Sequence, residues 1–243
     1  MAFSNLQGQS PALTTTGVFS FTFSFTSPIT VHSLLVADIT YDCSSDTTLA
    51  VSDPSNGTWT EDAGCHQYDS TAQQGLRRFY VKDAVAGSPT ITVDAGSNTL
   101  SYYAAQRQEW SGGLNTSDPK DNSTSAQNTS GNPASGTLTV GVDNCLILST
   151  EMDITANNTV GISGSFTKWL DDSADTNGGM CSEYWAQGSK TNTNSGWTYG
   201  TTTHRWLCCI TSFKPAPAAA TVNPVLATVG LCQTVGLSQI KIS

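Results

Sequence analysis

Few residues in this chain have the types and spacing that chemistry needs, and they are scattered. Glu151 and Asp153 open a Glu-x-Asp strand pattern. A retaining glycosidase needs two carboxyl groups, one as nucleophile and one as general acid. The second glutamate of a Glu-x-Asp-x-(x)-Glu strand is missing, because Thr155 or Ala156 stands in its place. Without a proton donor the double displacement cannot run, so these carboxylates read as the end of a strand. A hydrolytic triad needs a nucleophile, a base and an orienting group. Only His32, His66 and His204 could supply the base, and neither a Gly-x-Ser-x-Gly elbow nor a His-Glu-x-x-His helix occurs. Cys65 with His66, and His204 with Cys208 and Cys209, hold zinc-ligand types without a Cys-x-x-Cys pair. Asp171, Ser173, Asp175 and Asn177 place oxygens at alternate positions, as in a calcium loop. The glycine comes late, however, and Ser182 occupies the closing position that requires Glu. No catalytic residue, metal site or cofactor is therefore expected, and the chain reads as a non-enzyme. Trp110, Trp185 and Trp197 lie near loops and are candidates for stacking on sugars, against core packing as the ordinary role.

Composition narrows the setting. The 243 residues carry a net charge of −9, from 10 basic and 19 acidic side chains. That field repels a phosphate backbone, so nucleic acid is not an expected partner. Charged residues make up 12% of the chain, about half the usual share. Threonine and serine alternate with apolar residues instead, and threonine suits pleated, half-buried surfaces. No apolar run reaches the roughly 18 residues of a membrane span. The N-terminus lacks the basic start and apolar stretch of a secretory signal. A hydroxyl-rich composition of extracellular type without an export signal fits a virion protein, made in a host cytoplasm and exposed after release. Seven cysteines leave at least one unpaired within the chain. Cys43 ends one expected strand and Cys65 opens the next, which makes them the disulfide candidate, with the others read as small buried side chains.

These residues would be carried by strands. Phe19, Phe21, Phe23 and Phe25 recur with a period of two, which sends their rings to one face of a half-buried strand. Residues 31–41 form a long strand with a nearly continuous apolar centre. Asp53 to Gly57 is a turn, followed by strands at Trp59, 75–82, 90–94, 101–110, 136–140, 145–152, 166–170, 181–187 and 203–213. Residues 115–136 are almost wholly polar and read as a long surface connection. No segment shows capped helical periodicity. About ten strands separated by turns point to an all-β sandwich.

Beyond Pro215 the composition changes. Residues 216–221 form a Pro/Ala linker. Residues 222–243 carry apolar side chains from Val225 to Ile242 and one charge, Lys241. This tail is expected to dock as an extended arm on a neighbouring subunit, by adding a strand or an extended segment, with Cys232 able to lock the contact; the alternative is that it packs back on its own sandwich.

The order of these pieces resembles a family of jelly-roll β-sandwich domains found in bacteriophage structural proteins and bacterial extracellular proteins. The resemblance rests on Phe21 to Phe25, Leu34 to Val36, Trp59-Thr60, and Phe79 to Ala84. It continues through Gly87 to Val93, Trp110 to Gly112, Asn115 to Pro119, and the strand from Trp206 to Pro215. It covers about residues 15–215. It implies an antiparallel jelly-roll domain over residues 1–215; the linker and arm of residues 216–243 lie outside it. It implies a virion component at the particle surface: a capsid decoration (cement) subunit, a head fibre or a tail-associated protein. The implied partners are major capsid or tail proteins and further copies of the chain. The alternative is a carbohydrate-binding adhesion module with a host-surface glycan as partner.

Overall fold

The computed structural model describes residues 3–9, 14, 17–154, 161–162, 164–171, 179–199 and 204–217. The expected arm at 222–243, with Cys232, lies outside them. Among the described residues the chain forms strands and no helix. The first half provides β1 (Ser4–Gln9), β2 (Ser20–Phe23), β3 (Leu34–Asp42), β4 (Ala50–Asp53), β5 (Gly57–Thr58), β6 (Thr60–Asp69), β7 (Gln74–Val81), β8 (Ile91–Asp94) and β9 (Tyr102–Ser111). The second provides β10 (Lys120–Asn128), β11 (Cys145–Asp153), β12 (Gly161–Ile162), β13 (Thr167–Asp171), β14 (Met180–Gln187), β15 (Trp197–Thr198) and β16 (Trp206–Phe213).

All pairings are antiparallel, as expected of a β-sandwich. One five-stranded sheet runs β1-β9-β3-β7-β6 and the other β10-β16-β11-β14-β13. Each is drawn from one half of the chain, so the winding of a jelly roll is not confirmed by the strand order.

The layers explain the sequence patterns. Alternate residues of β3 point to opposite faces. Leu34 and Val36 pack with Leu146, Leu148 and Phe213 of the second sheet. Leu35, Ala37, Ile39 and Tyr41 pack with Val51, Ile91 and Val93 of a small outer sheet, β2-β8-β4-β5. The first large sheet is thus covered on both faces, which is why β3 reads as a continuous apolar run rather than an alternating one. The rings of the Phe19 to Phe25 run, of which β2 is the centre, enter this core by degrees: Phe25 is buried, Phe21 stacks on Tyr103 with centroids 4.2 Å apart, and Phe19 stays exposed. The turn expected at Asp53 forms as read. Its Oδ1 accepts the amides of Ser55 and Asn56, both at 2.8 Å, and Gly57 takes a φ of 72°.

Two expectations are corrected. Part of the segment read as a polar connection, 115–136, is the strand β10, which pairs with β16 from Lys120 to Asn128. It lies at a sheet edge and is only half-buried, so it carries no apolar signature. The run at 136–140 contributes a single bridge, Leu138 to Thr193, in place of a strand.

The two halves repeat one architecture. In each, a chain-order set of five strands takes the spatial order first, fifth, second, fourth, third. The registers agree residue by residue: Leu34 lies opposite Trp110 as Leu146 lies opposite Phe213. β1 slips register between Asn5 and Gln7, beside Trp110, and β10 slips between Lys120 and Asn122, beside Phe213. β6 and β13 both slip after a Thr paired with a Tyr, Thr60 with Tyr80 and Thr167 with Tyr184. The contacts between the layers are reciprocal, as across a two-fold axis. Tyr80 meets Phe213 edge-on at 5.8 Å and Tyr184 meets Trp110 at 5.0 Å. β6 packs on β10, and β13 on β1. At both closures a glycine admits the neighbour: a Cβ on Gly64 would overlap Ser123, and one on Gly8 would overlap Trp169.

Between the repeats lies a fully buried ion pair. Arg78 of β7 and Asp38 of β3 have no exposed side-chain surface. Arg78 Nε donates to Asp38 Oδ1 at 2.7 Å and Nη2 to Oδ2 at 3.1 Å. Nη2 also reaches Thr150 Oγ1 at 3.0 Å. Nη1 reaches the Leu148 carbonyl at 2.8 Å and Thr211 Oγ1 at 3.1 Å. These bonds use every donor of the guanidinium. Thr150 donates in turn to Asp38 Oδ2 at 2.7 Å, and Thr211 to Asp62 Oδ2 at 2.6 Å. Asp62 also accepts from Lys120 and Ser123, and these bonds hold its carboxyl below the usual carboxylate range despite burial.

Asp38→Ala leaves a buried guanidinium without its counter-charge, and the expected loss is about 3–5 kcal/mol. Arg78→Lys, which lacks the planar fork, is expected to lose stability as well. Urea unfolding at constant pH measures both; a loss within about 1 kcal/mol for Asp38→Ala would show that the pair does not hold the layers together.

Candidate functional site

The internal repeat provides a reference for what is unusual. On the outer face of the first repeat, Ala37, Ile39, Phe79 and Ala105 form an apolar core. Equivalent positions in the second repeat hold Ser149, Glu151, Glu183 and Cys208. β11 sends Ser149 and Glu151 outward, β14 sends Cys181 and Glu183, and β16 sends Cys208. Glu183 sits opposite Ser149, and Glu151 opposite Cys181, so the two glutamates are diagonal neighbours on adjacent strands. Residues 193–199 cover them. Ser195 Oγ lies 2.6 Å from Ser149 Oγ, which donates to the Cys209 carbonyl at 2.7 Å. Tyr199 donates its hydroxyl to Glu151 Oε2 at 2.6 Å.

The rest of the polar groups are not matched. Both carboxyl oxygens of Glu183, Oε1 of Glu151 and the indole Nε1 of Trp197 are buried without a hydrogen-bond partner among the described residues. Burial pushes the Glu183 carboxyl up to about 8. Burial also raises Glu151, against the Tyr199 hydrogen bond, and the charges of Asp153, Asp171 and Glu183 raise it further. Tyr199 is raised by burial and by Glu151. Both glutamates are thereby held toward their neutral, protonated form. In its closed form the cluster offers no face to a substrate, since Glu151 and Glu183 are at most 1% exposed.

The second unusual position is Arg107 on β9, equivalent to the buried Ile210 of β16. Its guanidinium lies 5.6 Å from the Phe23 ring centroid. One bond goes to the Ala105 carbonyl at 3.4 Å, Nε is unpartnered, and no carboxylate pairs with it among the described residues. Burial lowers its pKa. Beside it a recess of about 80 Å³ is lined by Phe21, Phe23, Tyr103, Thr14 and Thr22.

The residues singled out from sequence do not gather into one place. Glu151 is in the buried cluster, and Asp153 ends the same strand. Trp110 and Trp197 are core residues, and Trp185 packs half-buried on Phe166. Of the calcium-type loop only Asp171 falls within the described residues, with Lys168 on its carboxylate at 2.5 Å. His66 bonds Asp46 at 3.0 Å and His32 bonds Asp83 at 2.6 Å, and His204 lies edge-on to Tyr199. No group of His, Cys, Asp and Glu fit for a metal occurs among the described residues. Cys43 and Cys65 are both buried and carry free thiols in this structure. Cys43 belongs to the core of the small outer sheet and Cys65 to the layer between the repeats, so they face opposite ways. Glu183, Arg78, Asp38 and Arg107 were not singled out, although each is a charge inside a strand of otherwise uncharged neighbours or at its centre.

The raised carboxyls tie stability to pH. A carboxyl whose folded pKa exceeds its unfolded value adds stability that is fully present below the unfolded pKa and is lost as pH rises through the folded one. Stability is therefore expected to fall between about pH 4.5 and pH 8. Glu183→Gln, which stays neutral, should flatten that fall and exceed the native chain at pH 8.5 by on the order of 2–4 kcal/mol. Urea midpoints at pH 5.5, 7 and 8.5 measure it; parallel profiles for the two proteins would refute a protonated Glu183. No family model, curated protein or solved structure matches the chain, and its second repeat serves as the comparison for its first.

Proposed function

We propose that the protein is a non-enzymatic structural subunit on the surface of a bacteriophage particle, bound to major capsid or tail proteins and to further copies of itself. It acts there as a capsid decoration (cement) subunit, a head fibre or a tail-associated component. The observation that carries this reading is the construction of the interior. The first large sheet is covered on both faces, and a buried guanidinium with every donor engaged joins it to the second. Such a body keeps its shape without a ligand, which suits a spacer or a cement. The resemblance of its order of strand and turn residues to phage jelly-roll proteins supports the setting, as does the acidic, sparsely charged composition.

A second reading, a carbohydrate-binding adhesion module, is favoured by the recess beside Arg107. Aromatic rings accept the apolar faces of sugars, and an unpaired guanidinium accepts a carboxylate. The glycan class this fits is acidic.

Two measurements separate the readings. Co-sedimentation of the purified chain with particles lacking it should give saturable binding, and a glycan array should stay silent. Saturable binding of acidic glycans, lost in Arg107→Ala, together with no retention on particles would overturn the structural reading in favour of the adhesive one.

A further inference from the structure

The long bulge of β6 runs between two paired positions, Glu61 opposite Phe79 and His66 opposite Arg77. It turns Cys65 into the layer between the repeats, among Leu76, Ala104, Met152 and Leu207. The Cys65 sulfur lies 3.1 Å from Thr211 Oγ1 and 3.7 Å from the Ile210 carbonyl. Cys209 faces the same cluster from β16, two positions before Thr211, whose hydroxyl the Cys65 sulfur meets. The adjacent Cys208 points the other way, into the outer layer with Cys181, Trp197 and Trp206. Cys43 lies beyond the first large sheet. The strand faces therefore select one partner for Cys65 out of the described cysteines.

We propose that Cys65 and Cys209 are a disulfide-forming pair that joins the two repeats covalently when the protein meets a low-molecular-weight disulfide. One cysteine, as thiolate, attacks a sulfur of the reagent RSSR and forms a mixed disulfide, and RS⁻ leaves. The second cysteine attacks the protein sulfur of that mixed disulfide, the bond between the two cysteines forms, and the second RS⁻ leaves. The two thiol protons end on the two leaving groups. Two protein thiols and RSSR become one protein disulfide and two RSH, so the protein is oxidised and the reagent reduced. Burial and the neighbouring Cys209 keep the Cys65 thiol protonated in the closed protein, so exchange proceeds through opening of the layer. The fixed charge of Arg78 lies near both sulfurs and favours the thiolate once opening begins. The pair closes a long chain segment, which is the case in which a cross-link constrains the unfolded chain most. It stands independently of the particle reading.

The experiment uses the full chain, reduced and then exposed to oxidised glutathione at pH 8.5 in low urea. Free thiols are blocked with N-ethylmaleimide, and chymotryptic peptides are mapped by mass. Segment 60–68 holds Cys65 alone and segment 208–213 holds Cys208 and Cys209. The expected product is these two peptides linked, two hydrogens lighter than their sum, retained in Cys208→Ala and lost in Cys209→Ala. Melting temperature should rise by about 5–10 °C on oxidation and return with dithiothreitol. The proposal is overturned if both peptides of the native chain carry N-ethylmaleimide after unfolding, or if the link persists in Cys209→Ala. Where a variant does not fold, fragmentation of the linked native peptides assigns the bond to Cys208 or Cys209, and a bond to Cys208 overturns the proposal.

Discussion

The guanidinium of Arg78 is the constraint on which the rest of the architecture depends. A charge without exposed surface is tolerated only when its counter-charge and all its hydrogen bonds are supplied together. Asp38 supplies the first from the neighbouring strand. Leu148, Thr150 and Thr211 supply the others from the opposite sheet. A slip of one residue in either sheet would turn these groups to the wrong face and leave the ion unmatched. The apolar contacts around it, Leu34 and Val36 against Leu146 and Leu148, are non-directional and would accept several registers. The ion pair is therefore what makes one register unique, while the apolar layer supplies most of the driving force. Its reach extends through Thr211 to Asp62 and on to Lys120 and Ser123, which draws the β6 and β10 edges together.

The two repeats have spent this shared plan differently. In the first, the outer face is a conventional apolar core whose one irregularity is Arg107. In the second, glutamates take the places of Ile39 and Phe79, and part of their hydrogen-bonding capacity is unmet within the described residues. Each unmet buried group costs free energy that a neutral hydrocarbon would not. The outer layer of the second repeat therefore carries buried carboxyls held toward their protonated form.

Much of the strand content was legible, and the reason is periodicity. Phe19 to Phe25, Leu34 to Tyr41 and Trp206 to Phe213 carry patterns that survive any tertiary context. The turn at Asp53 was legible because Asx chemistry and Gly57 act locally. β10 was not, since a half-buried edge strand of Ser, Thr, Asn and Gln has neither alternation nor apolar density. The duplication was hidden for a related reason. Equivalent positions share the face they point to rather than side-chain identity: Arg78 matches Ser182, Phe79 matches Glu183 and Trp110 matches Phe213. A few positions, such as Leu34 and Leu146, Tyr80 and Tyr184, or Thr60 and Thr167, keep the residue. Proximity along the chain says nothing about which side of a sheet a thiol faces, and Cys43 and Cys65 lie in different layers. Glu151 was noticed as half of a catalytic pattern. Its diagonal neighbour Glu183 comes from another strand, and that adjacency exists only after pairing.

The placement of β16 sets the order in which the molecule can be completed. It lies between β10 and β11, so the second sheet has no continuous ladder until residue 213 has been synthesised. The first sheet closes much earlier, when β9 inserts between β1 and β3 at residue 111. During translation there is an interval in which the first repeat is complete while its inner face still meets water. Leu34, Val36 and Trp110 lie on that face, with Arg78 and Asp38 hydrated among them. A solvated ion pair in the middle of an apolar surface interrupts the patch that another nascent chain would bind. The group that later locks the finished layers thus keeps the unfinished one apart from its neighbours.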